Sequence, residues 1–286
     1  GHGRVRMSAQ FLGAHVPTAG GLVTGFDRAE AIGATAMQVF TTSPRQWAAR
    51  PLTDEVLAKW HARKSVSPIQ RFISHDSYLV DLSSSTPENR EKSIQFLIGE
   101  LSRCHLLEIP CCVSHMGSGK NEAESLALIA ENTRRVLGET PDTVTLLMET
   151  TAGQGSDLGY RFEHWALVRE ILGNPKRLGI CLDTCHIFAA GYDIRTVETY
   201  AATMSEFERV LGFDCLHCIH MNDSKKAFQS RVDRHEAIGD GFIGAEAFRC
   251  FLKDERLAHV PMILETPQAE TMHGENLKRL RALAES

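Results

Sequence analysis

Short apolar runs alternate along this chain with longer stretches of helical periodicity. The runs are QFLGAH (10–15), TAMQVF (35–40), QRFISH (70–75), IPCCVSH (109–115), TVTLLME (143–149), LGICLD (178–183), CLHCIH (215–220) and VPMILE (260–265). Their length and the turn residues that bound them predict strands. Between them lie segments of helix-forming composition, including 53–66, 88–108, 121–139 and 198–212. Start signals support these helices. Thr53 precedes Asp54 and Glu55, and Thr86-Pro87-Glu88 offers a cap, a first-turn proline and an early acid.

The unit is strand then helix, repeated along the whole chain. Such alternation builds a parallel sheet. Strand ends near 15, 40, 75, 115, 149, 183, 220 and 265 predict a closed (β/α)8 TIM barrel rather than an open sheet. No linker or composition break divides residues 1–286, so one domain is expected. The segment 221–243, rich in charge and glycine, is longer than an ordinary connection, and such loops are often functional.

Composition narrows the picture. No run of about 18 uncharged apolar residues is present, so no membrane helix is expected. The start lacks the apolar stretch of a signal peptide. Gly1-His2-Gly3 reads as a cloning scar, and residues 1–6 are expected to be a tag remnant or disordered. The eight cysteines sit mostly in apolar runs and read as small buried hydrophobes in a reducing, cytoplasmic compartment. Cys215 and Cys218 have the spacing of half a zinc knuckle but no second pair to complete it. The net charge of −5 argues weakly against a nucleic-acid partner.

The candidate chemistry lies at the strand ends. Seven runs finish on His15, His75, His115, Glu149, Asp183, His220 or Glu265. In a closed parallel barrel these ends share one face, where barrel enzymes place their active sites. His186 follows Asp183 closely, and Asp233 and His235 are two apart, so an extended loop would present both on one side. Without His15, the set is five imidazoles and four carboxylates: His75, His115, His186, His220, His235, Glu149, Asp183, Asp233 and Glu265. Nine donors exceed one tetrahedral ion and suit a cluster with a bridging carboxylate. Mixed nitrogen and oxygen ligation points to zinc, with manganese or iron as alternatives. Each residue alone has an ordinary explanation. Asp183 could cap the following helix, Glu265 could pair with an arginine, and a lone strand-end histidine is more often a packed core group. Convergence of nine on one rim is what favours metal.

At this point the chain resembles the endonuclease IV family of zinc-dependent apurinic/apyrimidinic endonucleases. The resemblance runs from GAHVPTAGG (13–21) to ILETP (263–267), through HDSYL (75–79), TAGQGS (151–156), CLDTCHIFAAGYD (181–193), HMNDSK (220–225) and SRVDRHEAIGDGFIG (230–244). It implies a barrel carrying three divalent ions. One would be held by His75, His115 and Glu149. A second would share Glu149 and take Asp183, His220 and Glu265. The third would use His186, Asp233 and His235.

The implied reaction is hydrolysis of the phosphodiester 5′ to an abasic site in duplex DNA, leaving a 3′-hydroxyl and a 5′-deoxyribose phosphate. Glu149 or Glu265 would orient the nucleophile or take its proton. Three divalent cations would outweigh the four ligand carboxylates, so an acidic protein could still attract phosphate locally. The positions matching the family's lesion-probing side chains are Arg45, Tyr78 and Leu79, and His15 matches a histidine near the site. A monomer is expected, since no dimerisation signal is visible. The sequence departs from the family in reading Met116-Gly117 where Pro-Gly is usual, which questions the rigidity of that loop. Two other readings remain: a sugar isomerase or epimerase on the same barrel, and a lesion-binding protein without catalysis.

Overall fold

The computed structural model describes residues 11–286. The expected tag remnant, residues 1–6, lies outside the described residues. Seven strands run in order from the start: β1 (Leu12–His15), β2 (Ala36–Val39), β3 (Arg71–His75), β4 (Cys111–His115), β5 (Thr145–Glu149), β6 (Leu178–Asp183) and β7 (Leu216–Met221). Two short strands, β8 (Asp223–Ser224) and β9 (His235–Glu236), pair antiparallel within the long segment after β7. β10 (Met262–Leu264) then pairs in parallel with both β7 and β1 and closes the barrel. The expected (β/α)8 TIM barrel is therefore observed, with each barrel strand within two residues of the expected run.

Helices α1 (Thr24–Ala31), α2 (Asp54–Ser65), α3 (Pro87–Leu107), α4 (Glu122–Gly138), α5 (Phe162–Leu172), α6 (Thr184–Ala190), α7 (Val197–Val210), α8 (Ala245–Lys253) and α9 (Ala269–Glu285) surround it. Thr53 caps α2 as expected, its hydroxyl accepting from Val56 N at 3.2 Å. Thr86 corrects its expectation. It occupies the cap position of α3, but its side chain makes no capping bond. Its carbonyl accepts from Arg90 N at 3.0 Å, while Pro87 removes one unpaired donor from the first turn. Among the described residues, no helix is long and apolar enough to cross a membrane.

Two apolar layers follow from strand periodicity. Outward-facing residues such as Met37, Leu146, Ile180 and Met262 join Trp60, Trp165, Phe26 and Phe248 in the layer under the helices. Inward-facing residues form a smaller core inside the barrel: Ala36, Ile73, Cys111, Val113, Leu147, Cys181, Cys218 and Ile263. This inner plug sets the position of the site. Two residues beyond it along the strands, on the same inward face, stand Gln38, His75, His115, Glu149, Asp183, His220 and Glu265. β1 carries Gly13 because a Cβ there would lie 1.7 Å from the Ala36 carbonyl oxygen of β2.

Met116, the departure from Pro-Gly, is fully buried in the outer core. The loop it begins is also tied by Ser118 N to Asp81 Oδ1 (3.2 Å) and Ser83 Oγ (3.0 Å). Burial and these bonds order the turn without the proline ring.

Candidate metal centre

Strand register brings the donors together. His115 is the partner of Glu149 across β4 and β5, and Asp183 is the partner of His220 across β6 and β7. Glu149 is the hub. It is buried, and its oxygens lie 3.3 Å from His75 Nε2, 3.4 Å from His115 Nε2, 3.1 Å from His220 Nδ1 and 3.3 Å from His186 Nδ1. His220 Nδ1 also lies 2.9 Å from Glu265 Oε1 and 3.7 Å from Asp183 Oδ2. Glu265 stands one residue past the end of β10 and pairs with His220 and Gln38, not with an arginine.

The third group comes from loops. His186 sits in the first turn of α6, and Asp233 Oδ1 lies 3.0 Å from its Nε2 and 3.1 Å from His235 Nε2. Asp233 is positioned through its backbone N–H, which donates to Gln154 of the TAGQGS loop at 2.9 Å. The wider loop is anchored by buried Asp223, which accepts from the backbone N–H groups of Ser224, Gly239, Ile243 and Gly244. Asp183 does two things at once. Oδ1 caps α6 by accepting from His186 N at 3.0 Å, and Oδ2 faces His220, His186 and His235. One carboxylate thus caps the helix and still turns an oxygen toward three imidazoles.

The imidazoles are set up as ligands. His75 Nδ1 lies 3.0 Å from the Asp76 carbonyl, His186 Nδ1 2.6 Å from that of Thr150, and His235 Nδ1 2.9 Å from that of Glu265. Each carbonyl can only accept, so Nδ1 carries a proton, and Nε2 is the atom left to ligate once it has given up its own. The Nε2 atoms of His186 and His235 are buried and make no hydrogen bond. Buried nitrogens 3.0 and 3.1 Å from one carboxylate oxygen, yet not aligned to hydrogen-bond with it, fit a cation. Two triads, His75/His115/Glu149 and His186/Asp233/His235, each have ligand atoms within 4.8 Å of one another.

The electrostatics agree. Burial pushes the His75 imidazole down, but Glu149 beside it prevails and raises it to about 9. His235 rises to about 9 for the same reason, with Asp183 and Asp233 outweighing burial. Burial opposes ionisation of Glu149, yet His220, His115 and His75 hold its carboxyl well below the usual range. Glu149, Asp233 and Glu265 stay charged and draw positive charge to themselves. His15 differs: burial drives it down to about 3, so it is neutral.

Gln38 is a site residue that the sequence pattern does not mark, because TAMQVF ends without a charged residue. It is fully buried and ties the site together. Its Nε2 donates to Glu265 Oε2 (2.9 Å) and His15 Nδ1 (3.0 Å), and its Oε1 accepts from His220 Nε2 at 2.7 Å. Asn222 plays the same part between Asp183 Oδ2 and Glu265 N, each at 2.9 Å. The one available signal for Gln38 is a lone amide inside an apolar strand. Arg234, between two of the donors, is equally unmarked and lines the cavity.

That cavity, of about 450 Å³, opens above Glu149 and is walled by His15, Phe40, His75, Tyr78, His115, His235 and Glu265, among others. Tyr78, 65% exposed, stands at its rim, and the next residue, Leu79, is 38% exposed. Arg45 sits in an exposed loop outside the lining, near enough for its charge to act on the Tyr78 hydroxyl.

Metal loading is expected to release protons, since raised imidazoles hold them at neutral pH and ligands must be neutral. Calorimetric titration of stripped protein with zinc near pH 7.5 will then give heats that change with buffer ionisation enthalpy. Buffer-independent heats would contradict the site. Gln38→Ala is expected to weaken metal retention by about 10–100-fold, read as ions per chain after dialysis against graded chelator.

A family profile described as "Xylose isomerase-like TIM barrel" matches residues 26–283. The chain is 48% identical over 277 residues to a protein named "Probable endonuclease 4" from Chloroflexus aggregans, covering 95% of this chain and 97% of that one. The protein of the same name from Chloroflexus aurantiacus is 46% identical over 279 residues, covering 96% and 98%. The crystal structure of endonuclease IV from Thermus thermophilus superposes with a TM-score of 0.86 at 34% identity, covering 96% of this chain and 99% of that one. With its donor-ringed barrel mouth and likeness along nearly its whole length, the chain belongs to the endonuclease IV family of metal-dependent nucleases.

Proposed function

We propose that this protein is a DNA-repair endonuclease that hydrolyses the phosphodiester 5′ to abasic sites in duplex DNA, leaving a 3′-hydroxyl and a 5′-deoxyribose phosphate. The observation that carries the reading is the group of nine imidazole and carboxylate donors joined through Glu149 and Asp183, with unpartnered nitrogens on His186 and His235. A sugar isomerase of this fold has no need of the third group, His186, Asp233 and His235. A protein that only bound lesions would have no need of the donors at all.

His75, His115 and Glu149 would hold one ion. Glu149, Asp183, His220 and Glu265 would hold a second, and His186, Asp233 and His235 a third. Zinc suits these nitrogen and oxygen donors, and manganese or iron can replace it. Divalent ions at such a site supply a water nucleophile at neutral pH and neutralise charge on the phosphate.

The chain's own groups do the rest. Glu149 and Glu265, both held ionised, are placed to accept the nucleophile's proton or orient it. Neutral His15, with Nδ1 accepting from Gln38, has a proton on Nε2 to donate to phosphate. Tyr78 and Leu79 project apolar surface beside the cavity, where such wedges unstack and kink DNA, and Arg45 supplies a cation on the same side. Lost stacking and pairing make an abasic nucleotide cheaper to turn out than an intact one. The protein acts as a cytoplasmic monomer with the DNA.

Nicking of depurinated against intact supercoiled plasmid tests the reading. Metal-dependent nicking confined to the depurinated plasmid is expected, and equal nicking of both would end it. Glu149→Ala should abolish cleavage and lower the ions per chain, and full activity in that variant would remove Glu149 from the bridge. Tyr78→Ala should reduce preference for abasic duplex by about tenfold, a loss of roughly 1.4 kcal/mol of the stacking a wedge supplies, with metal content unchanged. Unaltered preference would return Tyr78 to loop packing.

A further inference from the structure

Below the metal centre the barrel plug contains three buried free thiols, Cys111, Cys181 and Cys218. Cys181 and Cys218 are register partners on β6 and β7, and each stands two residues before a proposed ligand, Asp183 or His220. Their sulfur atoms and a ring nitrogen of His220 all lie within 4.8 Å of one another. A tetrahedral ion with metal–sulfur bonds of about 2.3 Å holds its ligand atoms roughly 3.5–4 Å apart. Small side-chain rotations therefore suffice to close the three atoms on a cation. The apolar residues Ile73, Val113 and Leu147 stand in the same layer. Two sulfurs and an imidazole select soft cations over magnesium or calcium. A further cavity of about 200 Å³ lies at the N-terminal mouth of the barrel, beside Cys111, His217 and His259.

We propose that Cys181, Cys218 and His220 form a second cation site, for thiophilic ions of the cadmium, mercuric or cuprous class. His220 cannot serve both levels. Its Nε2 is bound to Gln38 and its Nδ1 faces Glu149 and Glu265, so an ion held by the thiols draws it away from the carboxylates above. Each thiol gives its proton to solvent as its metal–sulfur bond forms. Soft-metal capture thus disables the upper centre through the ligand the two sites share. The inhibitory half of this proposal rests on the cleavage reading above, and the binding half does not.

The test is titration of the purified, zinc-loaded protein with cadmium chloride, followed by ultraviolet thiolate-to-cadmium charge-transfer absorption and by nicking of depurinated plasmid. Cadmium bound only by nitrogen and oxygen gives no such band. Wild-type protein should show the band at one ion per chain, with nicking reduced by about tenfold or more. Cys181→Ala and Cys218→Ala should lose the band and keep their nicking in cadmium, while Cys185→Ala and Cys215→Ala should behave as wild type. Cys218→Ser, with circular dichroism, replaces any alanine variant that does not fold. No band in wild type, or a band lost only in Cys185→Ala, overturns the site. Equal inhibition of every variant overturns the shared-ligand effect. A band in a protein that cuts no DNA keeps the site and removes the cleavage reading instead.

Discussion

Four carboxylates gathered at the mouth of a barrel must be matched by positive charge. Glu149 and Asp183 are almost completely buried, and burying an unpaired carboxylate costs on the order of several kcal/mol. Five imidazoles surround these groups, and the carboxylates beside them raise their proton affinity. Divalent cations answer the same demand more fully. The demand itself is fixed by the fold, because Glu149 and Asp183 are locked on strand ends and cannot turn to solvent.

The fold meets the chemistry through one periodicity. Along each barrel strand, inward positions recur every second residue, first a plug residue and then a polar one: Leu147 then Glu149, Cys181 then Asp183, Cys218 then His220, Ile263 then Glu265. The plug fills the barrel below the polar layer, which faces the cavity above it. Gly13 lets β1 and β2 approach closely, which brings His15 beside Gln38. The same regularity places the Cys181 and Cys218 thiols directly under His220, so the plug is not chemically inert.

Rigidity comes from groups that touch no proposed ion. Gln38 fixes His220 and Glu265, Asn222 joins Asp183 to Glu265, and backbone carbonyls of residues 76, 150 and 265 fix three imidazole tautomers. Asp223 acts similarly at longer range. By gathering four backbone donors it folds the glycine-rich stretch back on itself and brings Asp233 and His235 over the barrel.

Read alone, the sequence determined the barrel and the positions of four of the nine described helices, and it put forward nine candidate ligands by residue type at strand ends and in two motifs. Strand and helix periodicity are local properties, and polar residues closing apolar runs are visible without coordinates. What only the tertiary structure decided is the pairing between distant chain segments. Glu149 as hub depends on register across β4, β5 and β6, and the double use of Asp183 depends on where α6 starts. Gln38 and Asn222 are hard to read in sequence because an amide has no charge to mark it, and its worth lies wholly in partners 23 to 227 residues away in the chain. The hydroxyl of Thr86 misleads for the converse reason: a cap residue names a helix start, but only backbone geometry decides whether its side chain reaches the first turn.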